Sequence, residues 1–273
     1  MRGKWWLGEL IGTFLLVFFG CGSLASAVTT GSFSGVGQVA LVWGGGIALA
    51  IYVTASLGGA HLNPAVTLGF LVSGRFPLRR VVPYVVMQCC GSFLASIALY
   101  LIFGESIAAY ELKEAIQRGQ PGSERTAMIF TEFFPNPTAS LLIGKISMTT
   151  AMCAEIIGTC VLMLVILCLT DEHNEGRPKE ITAVTIGLTV ALLVCLLGPI
   201  SMACLNPARD LPPRLFTYIC GWGGYVFTYN GWGWLYVYIL SPCLGAILGA
   251  VLYRSIFLSA YYLVSGRPKL SGG

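Results

Sequence analysis

The string Gly8-Glu9-Leu10-Ile11-Gly12-Thr13 returns as Ala154-Glu155-Ile156-Ile157-Gly158-Thr159, each time at the head of a long apolar block. A second pair follows at nearly the same offset, His61-Leu62-Asn63-Pro64-Ala65 and Cys204-Leu205-Asn206-Pro207-Ala208. The chain therefore reads as a duplication, with repeat one over about 1–143 and repeat two over about 144–273. Apolar continuity and flanking charge predict spans over about 5–28, 36–57, 81–104, 147–170, 180–198 and 234–258. Each is about long enough to cross a hydrocarbon core of ~30 Å at ~1.5 Å per residue. An odd number of crossings per repeat turns the second repeat upside down relative to the first, a plan that puts functional sites near the bilayer midplane. The expected fold is one all-α transmembrane domain over residues 1–273, with six membrane helices and two re-entrant half-helices.

The half-helices are segments 63–73 and 206–217, too short to cross yet lying between apolar spans. Asn followed by Pro is a helix start, because Asn caps the first turn and Pro suits a position whose N–H would go unused. Irregular backbone at membrane depth is tolerated only inside protein or along a watery cavity. If the two half-helices enter from opposite faces, their N-termini meet, and each places about half a positive charge there. With the side-chain oxygens of Asn63 and Asn206 used as caps, each amide NH2 is expected to be free to donate into the lumen. The stretches Gly59-Ala60-His61-Leu62 and Met202-Ala203-Cys204 before them read as extended, leaving a ladder of carbonyl acceptors. Glu9 and Glu155 are costly inside a bilayer, and the spacing points to them as acceptors that support the re-entrant loops. His61 reads as a packing residue bonded to a backbone carbonyl, and Asp210 as a local pairing residue.

Composition agrees with the bilayer as solvent: 56% of residues are apolar and 10% are charged, against about a quarter charged in soluble domains. Ten of the sixteen Lys and Arg are Arg2, Lys4, Arg75, Arg79, Arg80, Arg177, Lys179, Arg254, Arg267 and Lys269. In the six-span plan these flank one side, so the positive-inside rule predicts cytoplasmic termini. The 105–146 segment, with Glu105, Glu111, Lys113, Glu114, Arg118, Glu124 and Arg125, is expected to be a solvated loop on the other side. No basic stripe suits a nucleic acid. Most of the ten cysteines fall within apolar blocks and read as packing residues, and two histidines make a metal site improbable. No cofactor is expected, and the intramembrane ionisable groups do not form an enzyme's acid–base pair. The start of the chain imitates a signal peptide, but its apolar run carries Glu9 and recurs later as a span.

From Glu9 to about Tyr253 these residues resemble the aquaporin (major intrinsic protein) family. Asn206-Pro207-Ala208-Arg209-Asp210, with an acid after the arginine, is similar to the glycerol-conducting branch, as are Leu215-Phe216-Thr217, Gly221-Trp222-Gly223 and Val42-Trp43-Gly44. The resemblance implies passive conduction of glycerol, water, urea and other small polyols through a homotetramer embedded in the lipid bilayer of the cell membrane. It maps a selectivity filter onto Trp43, Val194, Ala203 and Arg209, the arginine and half-helix dipoles being the charge barrier of aquaporin-type pores. Val194 and Ala203 depart from the Gly and Phe common in bacterial facilitators. Two other readings compete: a water-selective channel, and a junctional membrane protein with a vestigial pore. Intact Asn63, Asn206 and Arg209 weigh against the second, since packing alone needs no polar groups at the midplane.

Overall fold

A computed structural model describes residues 4–33 and 35–261. The basic residues Arg2, Arg267 and Lys269 lie outside the described residues. Among those described, every regular element is helical. In chain order the main ones are α1 (Trp5–Thr30), α2 (Val36–Gly58), the half-helix α3 (Pro64–Val72) and α4 (Val81–Lys113). There follow α5 (Met148–Leu169), α6 (Thr182–Ser201), the half-helix α7 (Pro207–Thr217) and α8 (Gly233–Tyr261). Among the described residues six helices are long and apolar enough to span a membrane, and their outward faces carry exposed side chains such as Leu41, Leu49, Leu101, Leu192 and Leu196. Such a surface is stable only against lipid or another apolar face.

The two halves repeat one packing scheme. Helix α1 lies against α2 and α4, as α5 lies against α6 and α8. Helices α2 and α6 join the halves, and they meet at glycine. A Cβ on Gly44 would stand 2.6 Å from the Gly187 carbonyl oxygen, and one on Gly187 would stand 2.2 Å from that of Gly44. Small residues let membrane helices approach this closely, where dispersion replaces the missing hydrophobic drive. Each half-helix then crosses over, α3 packing on α8 and α7 on α4.

The segment between the halves differs from the expected solvated loop. Helix α4 continues to Lys113, and Thr126 to Phe134 is buried. Several of its charges find partners within the protein: Arg118 Nε bonds Glu111 Oε2 at 2.9 Å, and Arg125 Nη2 bonds Glu114 Oε2 at 3.0 Å. That pairing lets the apolar run Ala127-Met128-Ile129-Phe130 and the rings of Phe133 and Phe134 fold inward. Further along, the segment is tied to the C-terminal end of α6 by Asn136, whose N–H reaches the Pro199 carbonyl at 3.2 Å. All ten cysteines are free thiols; Cys21 and Cys204 are buried, whereas Cys90, Cys153 and Cys195 are exposed.

Candidate functional site

Each re-entrant loop is held by one buried glutamate. Glu9 accepts from the backbone N–H of His61 at 2.9 Å and of Leu62 at 2.8 Å. Glu155 accepts from Cys204 at 2.9 Å and Leu205 at 2.7 Å. Both carboxylates gain one more donor, Gln88 Nε2 at 2.7 Å on Glu9 and Ser201 Oγ at 2.7 Å on Glu155. Neither acid is exposed at a helix end. Matching residues take the left-handed conformation: Ala60 and Ala203 at φ 52° and 57°, Leu62 and Leu205 at 54° and 53°. Non-glycine residues in that region are strained, and surroundings as firm as these acceptors are needed to keep them there.

The strained backbone cannot continue a helix, so its carbonyls stay outside helical bonding. Among the described residues no protein donor reaches the carbonyls of Gly59, Ala60, His61, Met202, Ala203 or Cys204. All six residues line a cavity of about 480 Å³. Leu62 is a correction to the expected ladder, because its carbonyl accepts from Asn206 Nδ2 at 2.9 Å.

Asn63 and Asn206 cap α3 and α7 through their side-chain oxygens, which accept from Ala65 N at 2.8 Å and Ala208 N at 3.0 Å. Pro64 and Pro207 open the helices, and Ala65 and Ala208 are fully buried. The amides are less free than expected. Each spends one N–H across the interface, Asn63 on Leu205 at 2.8 Å and Asn206 on Leu62. An amide nitrogen has two hydrogens, so one donor of each asparagine is left over, and both residues line the cavity. His61 also differs: its Nδ1 lies 3.2 Å from the Thr67 hydroxyl rather than a backbone carbonyl, and its ring stacks on Phe70.

Trp43, Val194, Ala203 and Arg209 all line the cavity. The Arg209 guanidinium lies 4.8 Å from the centre of the Trp43 ring, with Nη1 fixed at 2.7 Å by the Phe130 carbonyl. A charged donor thus sits beside an aromatic face, an arrangement able to bond hydroxyls on one edge and pack carbon on the other. Gly20 makes room for the indole: a Cβ there would stand 2.3 Å from Trp43 Cζ2, Cζ3 and Cη2. Lys179 also borders the cavity, so Arg209 is not its sole basic neighbour.

Asp210 does not line the cavity. It accepts the Glu132 N–H at 2.7 Å and two bonds from Arg214, Nε to Oδ2 and Nη2 to Oδ1, both at 2.8 Å. Glu132 forms an ion pair with Arg209 and borders the cavity. Sequence reasoning missed Glu132, Gln88, Ser201 and Gly20. Glu132 had a visible signal, being the only acid between Arg125 and Glu155 and lying in an apolar run. The other three are recognisable only through the neighbours they meet in space.

Six spans, two opposed half-helices and, between them, a cavity with a largely apolar wall and a few polar groups define a membrane channel, not an enzyme. The chain belongs to the major intrinsic protein family, whose model matches residues 3–253. It is 37% identical over 250 residues to the propanediol uptake facilitator PduF of Citrobacter freundii, covering 91% of this chain and 90% of that one. It is 36% identical over 251 residues to the glycerol uptake facilitator protein of Escherichia coli (strain K12), covering 92% and 86% respectively. The aquaglyceroporin from Plasmodium falciparum shares the fold with a TM-score of 0.81 at 29% identity, covering 95% of this chain and 98% of that chain.

Proposed function

We propose that the chain conducts glycerol and other small neutral polyols passively across the cell membrane, with water and urea following the same path and ions excluded. The observation that carries this reading is the Arg209 guanidinium beside the Trp43 ring at 4.8 Å. A polyol is polar along its hydroxyl edge and apolar along its carbon edge. Arg209 and the carbonyls of Gly59, Ala60, His61, Met202, Ala203 and Cys204 replace the water lost from the hydroxyls, while Trp43 and Val194 cover the carbons. Asn63 and Asn206 orient the permeant at the midplane, where the α3 and α7 dipoles repel cations. Glu9 and Glu155 keep both loops in shape. Ala203, small where a ring is common in the facilitators, makes the bore tolerant among polyols and urea. Facilitators of glycerol and of propanediol among the relatives support a three-carbon polyol as substrate. The working form is a homotetramer in the bilayer, each subunit with its own pore and both termini cytoplasmic.

Purified protein in liposomes tests this by stopped-flow light scattering. Vesicles should shrink and then re-swell in glycerol and in urea, and stay shrunken in an impermeant sugar. Fast shrinkage without re-swelling in glycerol would mean a water-selective pore. Rates equal to protein-free vesicles in every solute would mean a vestigial one.

A further inference from the structure

Glu132 belongs to the segment joining the two halves, yet it is held by three residues of α7 at three separate points. Its side chain pairs with Arg209, the two side chains being 2% and 3% exposed. Its N–H donates to Asp210 Oδ1 at 2.7 Å, and its carbonyl accepts from Arg214 Nη2 at 2.6 Å. Grip on both backbone groups leaves the carboxylate little freedom to leave the arginine. Its second oxygen, Oε2, is buried without a partner in the protein.

The other acids around the filter are engaged elsewhere. Asp210 uses both oxygens on Arg214. Glu155 is occupied by the N–H groups of Cys204 and Leu205 and the hydroxyl of Ser201. Arg209 therefore has one counter-charge, Glu132. Without it, a full positive charge would stand in a largely apolar-walled cavity beside two half-helix N-termini, themselves positive. A passage of one sign concentrates ions of the other, by about tenfold or more. The α3 and α7 dipoles that repel cations would then draw anions in.

We propose that Glu132 is a specificity-determining residue of the conduit, making the filter electroneutral so that small anions are excluded together with cations. The inference rests on the reading of Arg209 as a wall of the permeation path. It implies that the class of solute admitted is set by two charges in contact, one from α7 and one from the segment between the repeats.

The test uses full-length protein in liposomes loaded with an anion-sensitive dye, with glycerol re-swelling measured on the same preparation. Glu132→Gln keeps the shape and an acceptor for Arg209 but removes the charge. Nitrate entry should rise about tenfold or more over the parent. Glu132→Gln combined with Arg209→Gln restores neutrality, and nitrate entry should return to the parent level. Arg209→Gln alone leaves Glu132 unpaired and should admit sodium instead, which keeps the inference testable should Glu132→Gln fail to assemble. Nitrate entry by Glu132→Gln at the parent level, or equal nitrate entry by the single and the double variant, overturns it, as does a sodium-tight Arg209→Gln. Failure of the parent to pass glycerol would overturn the proposed function instead, whatever the ion measurements give.

Discussion

Asn63 donates a side-chain N–H to the carbonyl of Leu205 at 2.8 Å, while Asn206 makes the reciprocal bond to Leu62 at 2.9 Å. The tips of two half-helices far apart in sequence are thereby latched to each other, and the same side chains cap the helices they begin.

Loss of either latch should cost stability as well as flux. Asn206→Ala removes a helix cap worth about 1 kcal/mol and a buried hydrogen bond worth about 1 kcal/mol. At roughly 2–4 °C per kcal/mol for a chain of this size, thermal unfolding in detergent should fall by about 4–8 °C. The double variant Asn63→Ala with Asn206→Ala should also conduct glycerol more slowly or leak ions. Unchanged melting and unchanged glycerol flux in the double variant would remove both asparagines from the proposed role.

The bore should respond to residues on either side of Trp43. Gly20→Ala places a methyl 2.3 Å from the indole, so the ring must move, and overpacking of this kind typically costs about 1–3 kcal/mol. The shift should lower flux of four-carbon polyols more than that of glycerol. Trp43→Ala should weaken discrimination between glycerol and larger polyols, and Ala203→Phe should sharpen it. Equal flux ratios in all four proteins, at matched density in liposomes, would exclude these residues from the filter.

Orientation follows from the basic flanks. Gln117 is exposed in the segment between the halves, which is assigned to the outside if the termini are cytoplasmic. Gln117→Cys should react with a membrane-impermeant thiol reagent in intact cells, over the background of the parent's own cysteines. Labelling only after permeabilisation would reverse the topology.

On the opposite side, Asp171 accepts from the Tyr253 hydroxyl and from the N–H and ring of His173. Burial pushes its pKa up, but these hydrogen bonds together hold it below the ordinary carboxylate value. A depressed folded pKa stabilises the protein above the unfolded value of about 3.9. That contribution is lost as pH falls through the lower, folded value. Thermal unfolding should therefore decline with acidification below about pH 4, and Asp171→Asn should be less stable at neutral pH with a flatter acid limb. Parallel melting curves for the two proteins across that range would rule this contribution out.

The sequence by itself determined the class of fold and its plan. Apolar blocks of bilayer length cannot be satisfied in water, and a Glu-headed span and an Asn-Pro-Ala string, each occurring twice, mark an inverted duplication. Local chemistry also pointed to the helix starts at Asn63 and Asn206, because capping depends only on neighbours in the chain. Tertiary structure decided what depends on groups brought together from afar. The 105–146 segment looked solvated because its charges were counted singly; paired as Glu111 with Arg118 and Glu114 with Arg125, they allow Thr126 to Phe134 to turn inward. That fold carries Glu132 to Arg209, an ion pair that no local pattern encodes. The asparagine amides looked free because their acceptors, Leu205 and Leu62, belong to the opposite repeat. Gly20 could not be read as the seat of Trp43, since a glycine's role in a membrane helix is set by the side chain that fills its empty space.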